Sequence, residues 1–162
     1  MKETNEIFRI LEQDARTPHG EIASRTGIPL KEVTKVIRDA ETSGAIVKYR
    51  TMVNWEKLGE QQVMALIEVK VVPEREVGFD AIAERVARYP ETRSVFLVSG
   101  GYDLGVMIAG KDIYEISRFV SEKLATIAGV QGTVTHFFLK RYKQDGEILI
   151  DRKRSRRLPF TP

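Results

Sequence analysis

The stretch Val63-Met64-Ala65-Leu66-Ile67-Glu68-Val69-Lys70-Val71-Val72 alternates strictly. Val63, Ala65, Ile67, Val69 and Val71 are apolar and share one face, the pattern of a strand buried on one side. Gln62, Met64, Leu66, Glu68 and Lys70 make a mixed opposite face, apolar at one end and charged at the other. Downstream, Phe79, Ile82, Ala83, Val86 and Tyr89 recur at helical spacing until Pro90 stops the pattern. Ser94 to Val98 predicts a second strand, Ser99-Gly100-Gly101 a turn, and Asp103 to Ala109 a third strand. Asp112 predicts the cap of a helix with the stripe Ile113, Ile116, Val120, Leu124 and Ile127, which Gly129 ends. Val130 to Leu139 predicts the last strand. The order βαββαβ is that of a ferredoxin-like domain, here residues 60–142. Two helices would cover one face of a four-stranded antiparallel sheet and leave the other open. Met64, Leu66 and Phe137 are expected on the open face, which a second subunit would best cover. Thr133 and Thr135 share the face of Phe137. His136 points the other way and reads as a core or rim residue under a helix.

Ahead of this domain, Ile7, Ile10 and Leu11, with Phe8 beside them, predict an amphipathic helix between Glu3 and Asp14. Thr17-Pro18 predicts an N-cap followed by proline at the first helical position. A short helix follows through Glu21, Ile22, Ala23 and Arg25, and Gly27 ends it. Ile28-Pro29 opens a third helix with the inner stripe Val33, Val36, Ile37 and Ala40, closed by Gly44. Two short helices about a tight glycine turn form a helix-turn-helix, whose last helix lies in the DNA major groove. The outward positions are Lys31, Glu32, Thr34, Lys35 and Arg38. Lys and Arg donate to phosphate or guanine, and Glu accepts from cytosine. A three-helix bundle with an ordinary solvated face has the same spacing. Ile46 to Val53 is β-branched and aromatic, and predicts a strand with Val47, Tyr49, Thr51 and Val53 on one face. Lys48 and Arg50 fall on the other, so a wing is expected whose basic face lies along phosphates. Asn54-Trp55-Glu56-Lys57-Leu58-Gly59 reads as a turn and linker closing a winged helix-turn-helix domain of residues 1–59.

The chain has 162 residues, enough for one large or two small domains. Its 42% apolar and 30% charged content marks a soluble globular chain. Cysteine is absent, which excludes disulfides, thiol nucleophiles and thiolate metal sites. His19 and His136 are too far apart in sequence to suggest a metal cluster, and no cofactor is expected. No apolar run is long enough for a membrane span. The charged first residues lack a signal-peptide core, so a cytoplasmic location is expected. Residues 1–59 carry a formal charge of +1, residues 60–139 carry −3 and residues 140–162 carry +5. An acidic middle repels phosphate, so any nucleic-acid footprint belongs at the ends. The run Arg152-Lys153-Arg154-Ser155-Arg156-Arg157, in a basic tail of residues 143–162, fits a solvated terminus or a phosphate contact.

A winged helix-turn-helix, the linker Asn54 to Gly59, and βαββαβ with Gly101-Tyr102-Asp103 between its middle strands together resemble the Lrp/AsnC family of transcriptional regulators. The segment Gly44-Ala45-Ile46-Val47-Lys48-Tyr49 adds to the resemblance, which covers residues 3–142. It implies double-stranded DNA as a partner and a C-terminal domain that dimerises through its sheet. It also implies a small effector, usually an amino acid, bound between subunits, and assembly of dimers into octamers. Two departures weaken the reading helix, the first by removing its N-cap oxygen and the second by lowering its basic density. Pro29-Leu30 stands where relatives carry Ser-Pro, and Val36 and Asp39 stand where they often carry basic residues. For an amino-acid zwitterion, the backbone N–H groups of Ser99, Gly100 and Gly101 suit the carboxylate. Asp103 suits the ammonium group, with Tyr102 in the same turn, and Thr133 and Thr135 could add hydroxyls. Plain hairpin-turn and strand roles fit these residues as well. Siroheme decarboxylases share the two-domain layout, so an enzyme is the alternative. The sequence nevertheless assembles no nucleophile–base pair, ligand set or acid–base dyad. A sensor acting without DNA is the third reading.

Overall fold

A computed structural model describes residues 2–72 and 78–150. The chain divides into two compact units, residues 1–53 and 54–162. The linker of residues 54–59, assigned from sequence to the first domain, therefore falls with the second.

The first unit holds helices α1 (Lys2–Gln13), α2 (His19–Thr26) and α3 (Leu30–Ser43). Each contributes one apolar stripe. Ile7, Ile10, Ile22, Val33 and Ile37 form the buried core, with Leu11, Ala23, Ile28, Val36 and Ile46 packed around it. Gly27 and Gly44 end α2 and α3 in the left-handed conformation, at φ 72° and 76°. The start of α2 differs from expectation. Pro18 itself takes the cap position, extended at ψ 144°, and makes no side-chain cap bond. Thr17 is buried and donates its hydroxyl backwards to the Asp14 carbonyl, 2.8 Å away. The predicted wing is also corrected, because residues 47–53 form no strand. β-propensity alone cannot make a strand. Its N–H and C=O groups need a neighbouring strand, and this unit is otherwise helical. Val47 is 91% exposed, and Tyr49 turns back to donate to Glu41 Oε1 at 2.9 Å.

The second unit opens with a single 3-10 turn, Trp55–Leu58, capped by the Asn54 side chain. Strands β1 (Val63–Val71), β2 (Thr92–Leu97), β3 (Leu104–Gly110) and β4 (Val130–Phe137) form one antiparallel sheet in the order β2-β3-β1-β4. This is the ferredoxin-like arrangement. Helix α4 (Asp80–Ala87) joins β1 to β2, and α5 (Ile113–Arg118) follows β3. The register sets Ala65 against Ile108, Ile67 against Val106 and Val69 against Leu104. These six side chains are fully buried, with Ile82, Val86, Ile116, Phe119, Leu124 and Ile127 above them. Asp112 caps α5 as expected, accepting from Glu115 N at 2.8 Å. Beyond Arg118 the helix widens into a π-helical turn, Phe119–Leu124. The wider turn shifts the inward face off the 3.6-residue period. Phe119, outside the predicted stripe, is buried and meets the Tyr89 ring edge-on at 5.5 Å, while Ile113 is half exposed.

Two further expectations are corrected here. Residues 143–148, read from sequence as tail, form a hairpin of β5 (Lys143–Gln144) and β6 (Glu147–Ile148). Asp145 and Gly146 turn it with positive φ at both positions, the geometry a two-residue hairpin favours. Its basic continuation, Arg152 to Arg157, lies outside the described residues. The second correction concerns β4. Phe137, Thr135 and Thr133 pair with Ala65, Ile67 and Val69, so they share the helix-bearing side. His136 and Val134 pair with Leu66 and Glu68 on the open side. Phe137 therefore leaves the predicted open face, and His136 joins it. That face carries Met64, Leu66, Phe96, Met107 and Val134.

Candidate functional site

On α3 the buried stripe Val33, Ile37 and Ala40 fixes which side chains face outward. Lys31, Glu32, Lys35 and Arg38 are exposed, and Thr34 is half-buried. Lys35 forms an i,i+4 ion pair with Asp39 at 3.3 Å, with both groups well exposed. Such surface pairs are weak, so Lys35 stays available to another anion. Thr34 Oγ1 lies 3.3 Å from His19 Nδ1 at the start of α2, a contact the sequence reading did not foresee. Lys48 and Arg50 are exposed in the strand-free segment after α3. The predicted set Lys31, Glu32, Thr34, Lys35, Arg38, Lys48 and Arg50 thus lies entirely within the first unit. The five α3 positions form one outward surface.

In the second unit, residues 99–103 connect β2 to β3. Ser99, Gly100 and Gly101 are exposed, and Tyr102 and Asp103 are half-buried. A methyl group added at Gly100 would meet only Val98 Cγ1, at 4.0 Å, and one at Gly101 would meet nothing within 4 Å. The turn therefore has open space beside its backbone. Asp103 anchors it. Oδ2 accepts from Val71 N at 2.8 Å and Oδ1 from Lys70 Nζ at 3.3 Å, while Asp103 N donates to Val69 O at 3.0 Å. The Val71 N–H bond above all holds the Asp103 carboxyl below the usual carboxylate range, against the opposing effect of burial, and the Lys70 ammonium adds to the lowering. A carboxylate offers about four acceptor sites, so two remain. Tyr102 folds towards the open face, its ring 3.6 Å from where a Gly105 Cβ would stand.

Leu104, Val69 and Thr133 lie side by side across three strands. Thr133 is thus at the same end of the sheet as the turn, two strand spacings or about 10 Å from β3. Thr135 lies one residue pair further in, opposite Ile67. The structure brings Ser99, Gly100, Gly101, Tyr102 and Asp103 into one turn and sets the two threonines apart from it. On the open face His136 Nε2 lies 3.1 Å from Glu68 Oε1. The alternation of β1 placed Glu68 correctly, but nothing in β4 signalled its partner. Among the described residues no three His, Asp or Glu side chains gather as a metal site. None of their helices is long and apolar enough to cross a membrane.

Residues 64–148, spanning the sheet, both helices, the turn and the hairpin, match the family described as the Lrp/AsnC ligand binding domain. The chain belongs to the Lrp/AsnC family. Across 99% of its length it is 44% identical to the Bacillus subtilis protein named uncharacterized HTH-type transcriptional regulator YugG, 97% of which is covered. It is 33% identical to the HTH-type transcriptional regulator FL11 of Pyrococcus horikoshii, over 89% of this chain and 92% of that one. Among solved structures, the leucine response regulatory protein of Mycobacterium tuberculosis superposes with a TM-score of 0.76 at 19% identity, covering 93% of this chain and 99% of that one. A Neisseria meningitidis transcriptional regulator in complex with L-methionine superposes with a TM-score of 0.71 at 23% identity, covering 89% and 92%. These two share the fold of this Lrp/AsnC member. The sequence relatives are named as transcriptional regulators.

Proposed function

We propose that this chain is a sequence-specific, DNA-binding transcriptional regulator whose oligomer responds to a small effector, an amino acid, in the cytoplasm. One observation carries the reading. A single chain joins a helix-turn-helix, whose α3 turns Lys31, Lys35 and Arg38 outward from a packed stripe, to a domain matching a ligand-binding family. Thr34 and Glu32 read bases beside them, and Lys48 and Arg50 hold phosphates. In the effector site, the Ser99–Gly100–Gly101 backbone receives the carboxylate of the amino acid. Asp103, which anchors the turn, meets the ammonium group with its remaining lone pairs, and Tyr102 walls the site. Thr133 and Thr135 reach a ligand only from the helix-bearing side of β4. The open sheet face pairs with a second copy, and such dimers assemble further, as octamers do in the family. The L-methionine complex of the Neisseria protein makes methionine the first amino acid to try.

The test is a binding titration on DNA upstream of the gene, across a salt series, with and without each of twenty amino acids. The parent should bind, and one amino acid should shift its affinity by about 5–150-fold, the range of ordinary couplings. Lys35→Glu/Arg38→Glu should lose binding, and undiminished binding would reject α3 as the reading element. Gly101→Trp should fold and dimerise yet lose the amino-acid response. A response left intact would place the effector elsewhere.

A further inference from the structure

The contact between His19 and Thr34 joins the one histidine of the first unit to the middle of the outward α3 surface. His19 opens α2, exposed, and its Nδ1 lies 3.3 Å from Thr34 Oγ1. The polarity of this hydrogen bond depends on the charge of the ring and, while the ring is neutral, on which nitrogen carries the proton. A neutral imidazole with its proton on Nε2 accepts at Nδ1, so the Thr34 hydroxyl spends its only hydrogen on His19. Its oxygen then offers lone pairs alone. An imidazolium has N–H on both nitrogens and can only donate. It must donate to Thr34 Oγ1, and the Thr34 hydrogen is released.

We propose that His19 is a positioning residue that sets, through its charge, whether Thr34 presents an acceptor or a donor to the base it reads. This rests on the DNA-reading role of α3 proposed above. With neutral His19 protonated on Nε2, Thr34 favours a base edge that donates, the amino group of adenine or cytosine. With charged His19 it favours one that accepts, the N7 or O6 of guanine or the O4 of thymine. Lys31 and Arg38 stand three and four residues from Thr34 on the same side of α3. Lys35 is paired with Asp39. On α2, Ile22 and Ala23 share the side of His19 and are uncharged, and Glu21 pairs with Arg25 at 3.9 Å. On α1, Arg9 pairs with Glu6 at 3.4 Å, and in the turn before α2 Asp14 accepts from the Arg16 backbone. A second effect accompanies the switch. The new positive charge strengthens phosphate binding on all sequences alike, so only a change in base preference reports the relay.

The experiment measures affinity for a panel of single-base operator variants at about pH 8 and about pH 5.5, either side of the range in which histidine changes charge. In the parent, relative preference at one base position should change by roughly three- to tenfold between the two, the worth of one hydrogen bond. Other positions should keep their order. His19→Ala and Thr34→Val should each show the same preference at both pH values, and His136→Ala should switch like the parent. A preference that moves equally in His19→Ala, or an affinity change uniform over the panel, overturns the relay. Panel binding that Lys35→Glu/Arg38→Glu leaves untouched overturns the α3 reading itself, so the two failures are distinguishable. Thr34→Val leaves His19 in place and keeps the test decisive if His19→Ala folds poorly.

Discussion

Gly129 sits at φ 89°, between the end of the π-helical turn and β4, and a Cβ there would stand 2.8 Å from Ile82 Cδ1 and 3.3 Å from the Val72 carbonyl. The left-handed backbone and the crowding act together, so Gly129→Ala should destabilise by about 1–3 kcal/mol. Gly132→Ala, with nothing within 4 Å and no positive φ, should stay within about 0.5 kcal/mol. Urea midpoints of the two variants check the contrast. Asp103 makes a prediction in pH. Its folded pKa is lowered, chiefly by the Val71 N–H and next by Lys70. A depressed carboxylate contributes stability above its unfolded pKa, near 3.9, and loses it as pH falls through the lower folded value. Melting temperatures from about pH 7 down to pH 3 should fall more steeply in the parent than in Asp103→Asn. Equal acid limbs would show that the anchor is not electrostatic. At this scale Gly27, Gly44 and Asp112 were legible in the sequence, because a chain-terminating glycine or a capping carboxylate acts on its own neighbours. The roles of Asp103, His19 and Thr17 were not, because each depends on a partner or a local geometry that the spacing leaves open.

Elements were legible where one face is plainly apolar, as in β1, α3 and α4. β4 was not. Its run Thr133-Val134-Thr135-His136-Phe137-Phe138 carries apolar residues on both parities, and a choice of face wrong by one residue moves every side chain across the sheet. Only the ladder to β1, with its irregularity between Lys70 and Val71, settles that choice. The segment of residues 46–53 failed for another reason, since its composition suits a strand but the unit supplies no second strand. Its two cations are still exposed, and a phosphate contact needs no strand. Lys48→Ala should weaken binding to all DNA sequences about equally. The slope of log affinity against log salt should fall by roughly 0.9 if one phosphate contact is lost. Lys35→Ala should instead cost roughly 1–3 kcal/mol on the best sequence and little on random DNA, if it reads a base. A salt series on specific and random duplexes separates the two. Sequence-dependent losses at Lys48 would mean that the segment enters a groove.

For the whole molecule, the proposed pairing through the open sheet face would set how many DNA-reading units act together. Phe96 and Val134 are 55% and 53% exposed on that face, apolar surface of the kind that marks an interaction site. Glu68 lies between them, directly opposite Val134 and Gly105. Phe96→Glu/Val134→Glu would therefore set three carboxylates on one patch, and across a two-fold interface twice that number would meet. Because both positions are exposed, the fold itself should survive, and the melting temperature measured in dilute solution should move little. The mass in sedimentation equilibrium should drop to that of one chain, 18.4 kDa. DNA binding should drop with it. Two linked reading helices gain avidity of order 10²–10⁴ over one when their geometry fits both half-sites, and a monomer forfeits that gain with α3 untouched. Random-sequence binding should fall much less than operator binding, since phosphate contacts within one unit remain. A double variant that stays dimeric would move the interface off the open face. A clean monomer with full operator affinity would show that a single helix-turn-helix suffices, and that the amino-acid response must then act within one chain.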